Sequence, residues 1–168
     1  MMAATFTYSQ VNAQFVLTPT DGLVIPNGAY TINRNASVDE NVQVAESAIK
    51  QIVPAAVIEK DPNVKDRFTA TANATIKMGK SGARAFNHNG SYTLGVEASE
   101  QSIKIRFLNL SQFEHEQGSI IVPWKPAAKT IVNIFVFKYD GSVRHKKAKL
   151  AIEEWANNLV RSISQAIH

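Results

Sequence analysis

The chain has 168 residues, of which 45% are hydrophobic and 19% charged, with a formal charge of +4 and no cysteine. A chain of this length buries roughly 70% of its unfolded surface, so residues 1–168 are expected to form one domain that needs no metal or disulfide staple. The apolar content excludes disorder, the lack of cysteine excludes disulfides, thiolate metal sites and cysteine nucleophiles, and the mild, scattered basicity gives only a weak pull toward nucleic acid.

No stretch approaches 18 consecutive apolar residues, the usual minimum for a membrane-spanning helix, so no transmembrane segment is expected. The opening "MMAATFTYSQV" lacks the basic and long apolar regions of an export signal. Taken as given, the chain reads as soluble.

Phe6 and Tyr8, then Val11, Ala13, Phe15 and Leu17, alternate in two phases, which predicts a first strand interrupted by a bulge. "TPTDGLVIPNG" follows as a loop or hairpin. From Ser37 the spacing of Val38, Val42, Ala45, Ile49 and Ile52 is helical, Ser37 with Glu40 forms a capping box, and Pro54 ends the run, so a helix is predicted over Ser37–Val53. "RFTATANATIKMG" alternates strictly, with Phe68, Ala70, Ala72, Ala74 and Ile76 on one face. Tyr92, Leu94, Val96 and Ala98, the turn "SEQS", and Ile103, Ile105 and Phe107 predict a hairpin.

Further strands are predicted at Ser119–Val122 and Ile131–Tyr139, on either side of the "PWKPAAK" stretch. A final helix is predicted over Arg144–Ile167, with Ala148, Ile152, Trp155, Leu159, Ile163 and Ala166 as its apolar stripe. Consecutive strands without intervening helices point to an α+β fold, an antiparallel sheet of about five or more strands with one helix from the first half of the chain and a long C-terminal helix packed on one face.

"GKS" at Gly79–Ser81 invites comparison with a phosphate-gripping loop. The pattern G-x-x-x-x-G-K-S needs glycine where Ala74 stands, and it must open a helix, whereas "GARAFNHNGSYTL" leads into another strand. A basic hairpin loop with Gly79, Gly82 and Gly90 is the expectation. The four histidines are dispersed, and in "EHE", Glu114–Glu116, an extended backbone would turn His115 away from both carboxylates. No catalytic residues, metal ligands or cofactor-binding residues are assigned.

The cluster Arg144, His145, Lys146, Lys147 and Lys149 begins the last helix, where the macrodipole disfavours cations. Arg144, Lys146, Lys147 and Lys149 are the candidate contacts for an anion or an acidic partner; the commoner alternative is a solvated turn offset by Asp140, Glu153 and Glu154. Nucleic acid is not the expected partner, because basic and aromatic residues are not interleaved on one strand face.

"FTYSQV", the capped helix "SVDENVQVAESAIKQI", "FTATANATIKMG", "GSYTLGVEASEQSIKIRFLNL" and the long amphipathic C-terminal helix together resemble the uncharacterised Bacteroidetes envelope-protein domains with a TATA-binding-protein-like (TBP-like) fold. The resemblance implies export to the cell envelope or periplasm after removal of a signal peptide; without it the default is cytoplasmic. It carries over no activity and no catalytic residue, and the name of the fold does not import DNA binding. The function expected is non-enzymatic, a binding or structural domain acting through protein–protein contacts without a cofactor. The alternative is a small-molecule or lipid carrier of the START-like helix-grip type, with a cavity for a small hydrophobic ligand between a curved sheet and the C-terminal helix. Trp155 bears on this choice: it is expected to be buried against the alanine row of the central strand, filling that space.

Overall fold

Alternation and helical spacing resolve into strands β1 (Val16–Thr18), β2 (Gly22–Val24) and β3 (Tyr30–Asn33), helix α1 (Val38–Ile52), strands β4 (Val57–Glu59), β5 (Arg67–Ser81), β6 (Arg84–Ala98), β7 (Ser102–Leu110), β8 (Phe113–Glu114) and β9 (Ile121–Val122), and helix α2 (Lys146–Ile167). The structure is a computed structural model that describes residues 14–26, 28–81, 84–110, 113–114, 121–122, 125–126, 128–129 and 135–168.

The main sheet is antiparallel and five-stranded, in the order β3-β7-β6-β5-β4. Alternation gives it one apolar face. Phe68, Ala70, Ala72 and Ile76 of β5, Tyr92, Leu94 and Val96 of β6, and Ile103 and Ile105 of β7 are all buried there. Both helices cover this face, α2 along β5 and against α1, and α1 against β6 and β7. The alanines of β5 carry no bulk beyond Cβ, so α2 can lie close to the strand and fill the interface at crystal-like density.

Helix α1 starts as its capping box requires. The Ser37 hydroxyl accepts the Glu40 amide at 3.3 Å while the Glu40 carboxylate accepts the Ser37 amide at 3.0 Å. The Ser37 hydroxyl also donates to that carboxylate at 2.8 Å and, with the Ser37 amide, holds the Glu40 carboxyl below the usual carboxylate range. The helix closes with the Val53 amide on the Ile49 carbonyl, ahead of Pro54.

The expected hairpin at the "TPTDGL" stretch is present as β1–β2, turned at Gly22 with φ +69°. Helix α2 grips its edge. Asn157 accepts the Phe15 amide at 2.8 Å and donates to the Phe15 carbonyl at 3.1 Å, and Glu153 accepts the Leu17 amide at 2.8 Å. A side-chain amide and a carboxylate here replace the ladder of a neighbouring strand.

Several expectations need correction. The stretch expected as a basic hairpin loop is strand almost throughout, since Ala74 pairs with Gly90, Ile76 with His88 and Lys77 with Asn87. Pairing with β5 overrides the low strand propensity of Gly90 and the asparagines. β3 and β4 are additional edge strands, too short for alternation to reveal. Residues 6–13 of the first expected strand, and 119–120 and 131–134 of the later ones, lie outside the described residues. From Phe135 to Tyr139 the chain forms no strand ladder: Phe137 bridges Val143 across a turn in which Gly141 has φ +84°. On α2 the buried stripe is Ala148, Ile152, Ala156, Val160, Ile163, Ser164 and Ile167, so Trp155, Leu159 and Ala166 flank it.

Candidate functional site

The basic cluster is positioned by the turn that precedes α2. The Val136 carbonyl accepts the amides of both Arg144 (2.9 Å) and His145 (3.1 Å), and Lys138 donates its amide to Ser142 at 2.8 Å. Inside the turn the Asp140 carboxylate accepts the Ser142 amide at 2.8 Å and its hydroxyl at 2.6 Å, which holds its pKa below the ordinary value. Helix α2 then begins at His145 with no side-chain cap and no acidic residue in its first turn.

The four residues expected to act together are divided by this arrangement. Lys146 and Lys147 are exposed and Arg144 is half-buried. Lys149 points to Glu153 one turn on, and that carboxylate also holds the Leu17 amide. Lys149 therefore belongs to the packing of α2 on β1, and Lys146 and Lys147 are the fully exposed members.

A second surface lies on the opposite face of the sheet. The register aligns Glu59, Thr69, Gly95 and Arg106 in one row across β4, β5, β6 and β7, and Arg67, Glu97, Lys104 and Thr31 in the next. Between Thr93 and Leu94 the register shifts, which gives β7 one extra residue, Leu108. Leu108 lies across Gly95, where a Cβ would sit 2.9 Å from its Cγ and Cδ1, and it remains 59% exposed. Around this pair runs an open groove of about 550 Å³ lined by charges of both signs, with Glu59, Lys60 and Asp61 at the β4 side, Arg67 and Glu97 between, and Lys104 and Arg106 on the β7 side. Arg106 reaches Glu97 at 3.4 Å across the sheet.

Between sheet and helix, aromatic rings pack against one another. Trp155 meets Tyr92 edge-on at 5.1 Å and Phe107 at 5.7 Å, and Phe107 meets Phe15 edge-on at 4.9 Å. Trp155 is half-buried against these rings, a correction to its expected full burial. Three polar side chains are buried among the described residues, Asn41, His88 and Ser164. His88 is buried on β6, and desolvation lowers its pKa to about 4. Asn41 of α1 donates to the Ser99 carbonyl at 2.7 Å and the Arg34 carbonyl at 3.3 Å, tying the β3–α1 connection to the β6–β7 turn.

Gly79-Lys80-Ser81 ends β5 and opens no helix. Glu114 lies in β8, while His115 and Glu116 lie outside the described residues. Among the described residues no group of three or more His, Asp or Glu side chains is arranged to hold a metal ion, and no helix is long and apolar enough to cross a membrane.

No protein-family model and no curated protein matches the sequence. Among solved structures, a DUF4468 family protein from Bacteroides ovatus is similar over 86% of this chain and 89% of its own, at 9% identity and a TM-score of 0.52. The fold is shared. A TBP-like protein from Parabacteroides distasonis is similar over 86% of this chain and 96% of its own, at 14% identity and a TM-score of 0.47. The fold shared with the DUF4468 protein agrees with the α+β architecture expected from the sequence. At such identities the likeness concerns architecture, and function has to be argued from sites.

Sequence reasoning missed the groove, His88 and Asn41. The groove depends on a bulge that brings Leu108 over Gly95, and no local spacing announces it. His88 had one signal, its place in phase with Tyr92 and Leu94 on the inward face of β6.

Proposed function

We propose that this protein is a non-enzymatic binding domain acting through protein–protein contacts, with the outer face of the five-stranded sheet as the contact surface. The observation that carries this reading is the groove over Gly95 and Leu108, an apolar floor lined by acidic and basic side chains in alternation. An open groove lined by charges of both signs suits an extended segment of a partner that carries charges of both signs beside an apolar anchor. Leu108 and, one row away on β4, Val57 offer the apolar part.

Support for a protein partner over a carried small molecule comes from where the free volume lies. A helix-grip carrier holds its ligand between sheet and helix, and here that space is taken by the rings of Phe15, Tyr92, Phe107 and Trp155. The test is a photo-cross-linking side chain in place of Leu108, with Asn158 on the exposed side of α2 as the control position. A protein adduct of defined mass at 108, absent at 158 and lost when Lys104 and Arg106 are both changed to Glu, is the expected result. A stoichiometric lipid or metabolite retained through purification and seen by native mass spectrometry would refute the reading in favour of a carrier.

A further inference from the structure

Three large apolar side chains, Tyr139, Val143 and Leu150, are exposed within a single short stretch of chain. The same stretch carries the exposed cations Lys138, Lys146 and Lys147 together with Arg144. Its backbone is one hydrogen-bonded piece, because Lys138 pairs with Ser142 and the amides of Arg144 and His145 converge on Val136. On the helix, Lys146 and Lys147 precede Leu150 by four and three positions, so all three share one exposed face.

The fold does not account for this composition. Apolar side chains left in water give up transfer free energy, and cations in the first turn of α2 oppose its dipole. Asp140, kept ionised by its bonds from Ser142, and exposed Glu154 set two negative charges against the four positive ones of Lys138, Arg144, Lys146 and Lys147, which leaves the segment net positive. Glu153 is engaged by Lys149 and the Leu17 amide, and Glu154 lies one turn beyond Leu150.

We propose that this segment, the 138–143 turn with the first turns of α2, is a peripheral docking surface for an anionic lipid bilayer. Net positive charge selects a negatively charged surface. The choice of a bilayer over an acidic protein rests on the residue types: protein interfaces are depleted in lysine and seat their apolar anchors in pockets. At a bilayer, lysine stems lie along apolar surface with the ammonium among headgroups, while tyrosine, valine and leucine enter the interface beside them. The surface shares no residue with the groove over Gly95, so the two proposals fail independently.

The experiment is co-sedimentation with extruded vesicles of phosphatidylcholine alone and of phosphatidylcholine with about 30 mol% phosphatidylglycerol, where partition should be about tenfold or more stronger into the anionic vesicles and weaken with added salt. Two variants, Lys138→Gln with Lys146→Gln and Lys147→Gln, and Tyr139→Ser with Leu150→Gln, should each lose about tenfold of that binding with unchanged circular dichroism. Because the chain has no cysteine, a second readout stays independent of those variants. An environment-sensitive dye on Tyr139→Cys should shift to the blue with anionic vesicles, and the same dye on Asn158→Cys should not. Equal partition into neutral vesicles, no partition into anionic ones, or a dye at 139 that does not respond would overturn the proposal. Binding to polyglutamate with none to vesicles would overturn it in favour of an acidic protein partner.

Discussion

Burial of His88 makes a quantitative prediction about pH. The imidazole is fully buried on the inner face of β6, opposite Ile76, and loss of hydration lowers its pKa from the ordinary 6.5 to about 4. The folded state thus holds the neutral ring while the unfolded chain takes up a proton near its ordinary pKa. The unfolded state binds more protons between the two values, so the His88 contribution is intact above the unfolded pKa and is lost as pH falls toward the folded one. For one group displaced by that interval, linkage gives a loss of about 2 kcal/mol at pH 5 and about 3 kcal/mol at pH 4. The assay is urea unfolding at constant temperature at several pH values from about 7.5 to about 4, on the parent and on His88→Leu. Between the ends of this range the parent should lose about 2–3 kcal/mol more than the leucine variant, which lacks the proton uptake whatever its stability at neutral pH. Parallel curves, or a His88 resonance titrating near its ordinary pKa by NMR, would refute the reasoning.

Two further predictions concern packing. Asn41→Ala removes the amide that holds the Ser99 and Arg34 carbonyls and should cost about 2 kcal/mol, a fall in Tm of roughly 4–8 °C by calorimetry, whereas a change under about 1 °C would show that the amide is dispensable. Trp155→Ala should cost about 2–3 kcal/mol, below the usual 3–5 kcal/mol for a fully buried aromatic, and Ile152→Ala, at the centre of the buried stripe, should cost at least as much in urea unfolding despite its smaller side chain. A Trp155→Ala cost well above that of Ile152→Ala would return the indole to the centre of the core.

What was legible follows from how far each signal reaches along the chain. The capping box of α1 and the alternation of β5 are local, and both were read almost to the residue: Ser37 caps the helix, and Phe68, Ala70, Ala72 and Ile76 face inward. On α2, Ala148, Ile152 and Ile163 are buried as the spacing predicts, while Trp155, Leu159 and Ala166 each stand one position from the buried Ala156, Val160 and Ile167. On a straight helix Ala148, Ile152, Ala156 and Val160 recur every fourth residue and align as well, and only the surface they meet decides between the two. β6 shows the opposite limit. Asn87, Asn89 and Gly90 have turn propensity, and they become strand because β5 already presents a ladder for them to complete. The two proposed surfaces are the least legible, since each is assembled from parts with no common local signal. The groove needs a register shift on β7 and a glycine on β6, and the basic cluster gains its apolar companions only when a turn sets Tyr139 and Val143 beside the start of α2. Lys149 makes the same point from within the cluster. In sequence it is one more cation, and only the placement of β1 against α2 turns it and Glu153 toward the Leu17 amide, separating a packing lysine from two that face solvent.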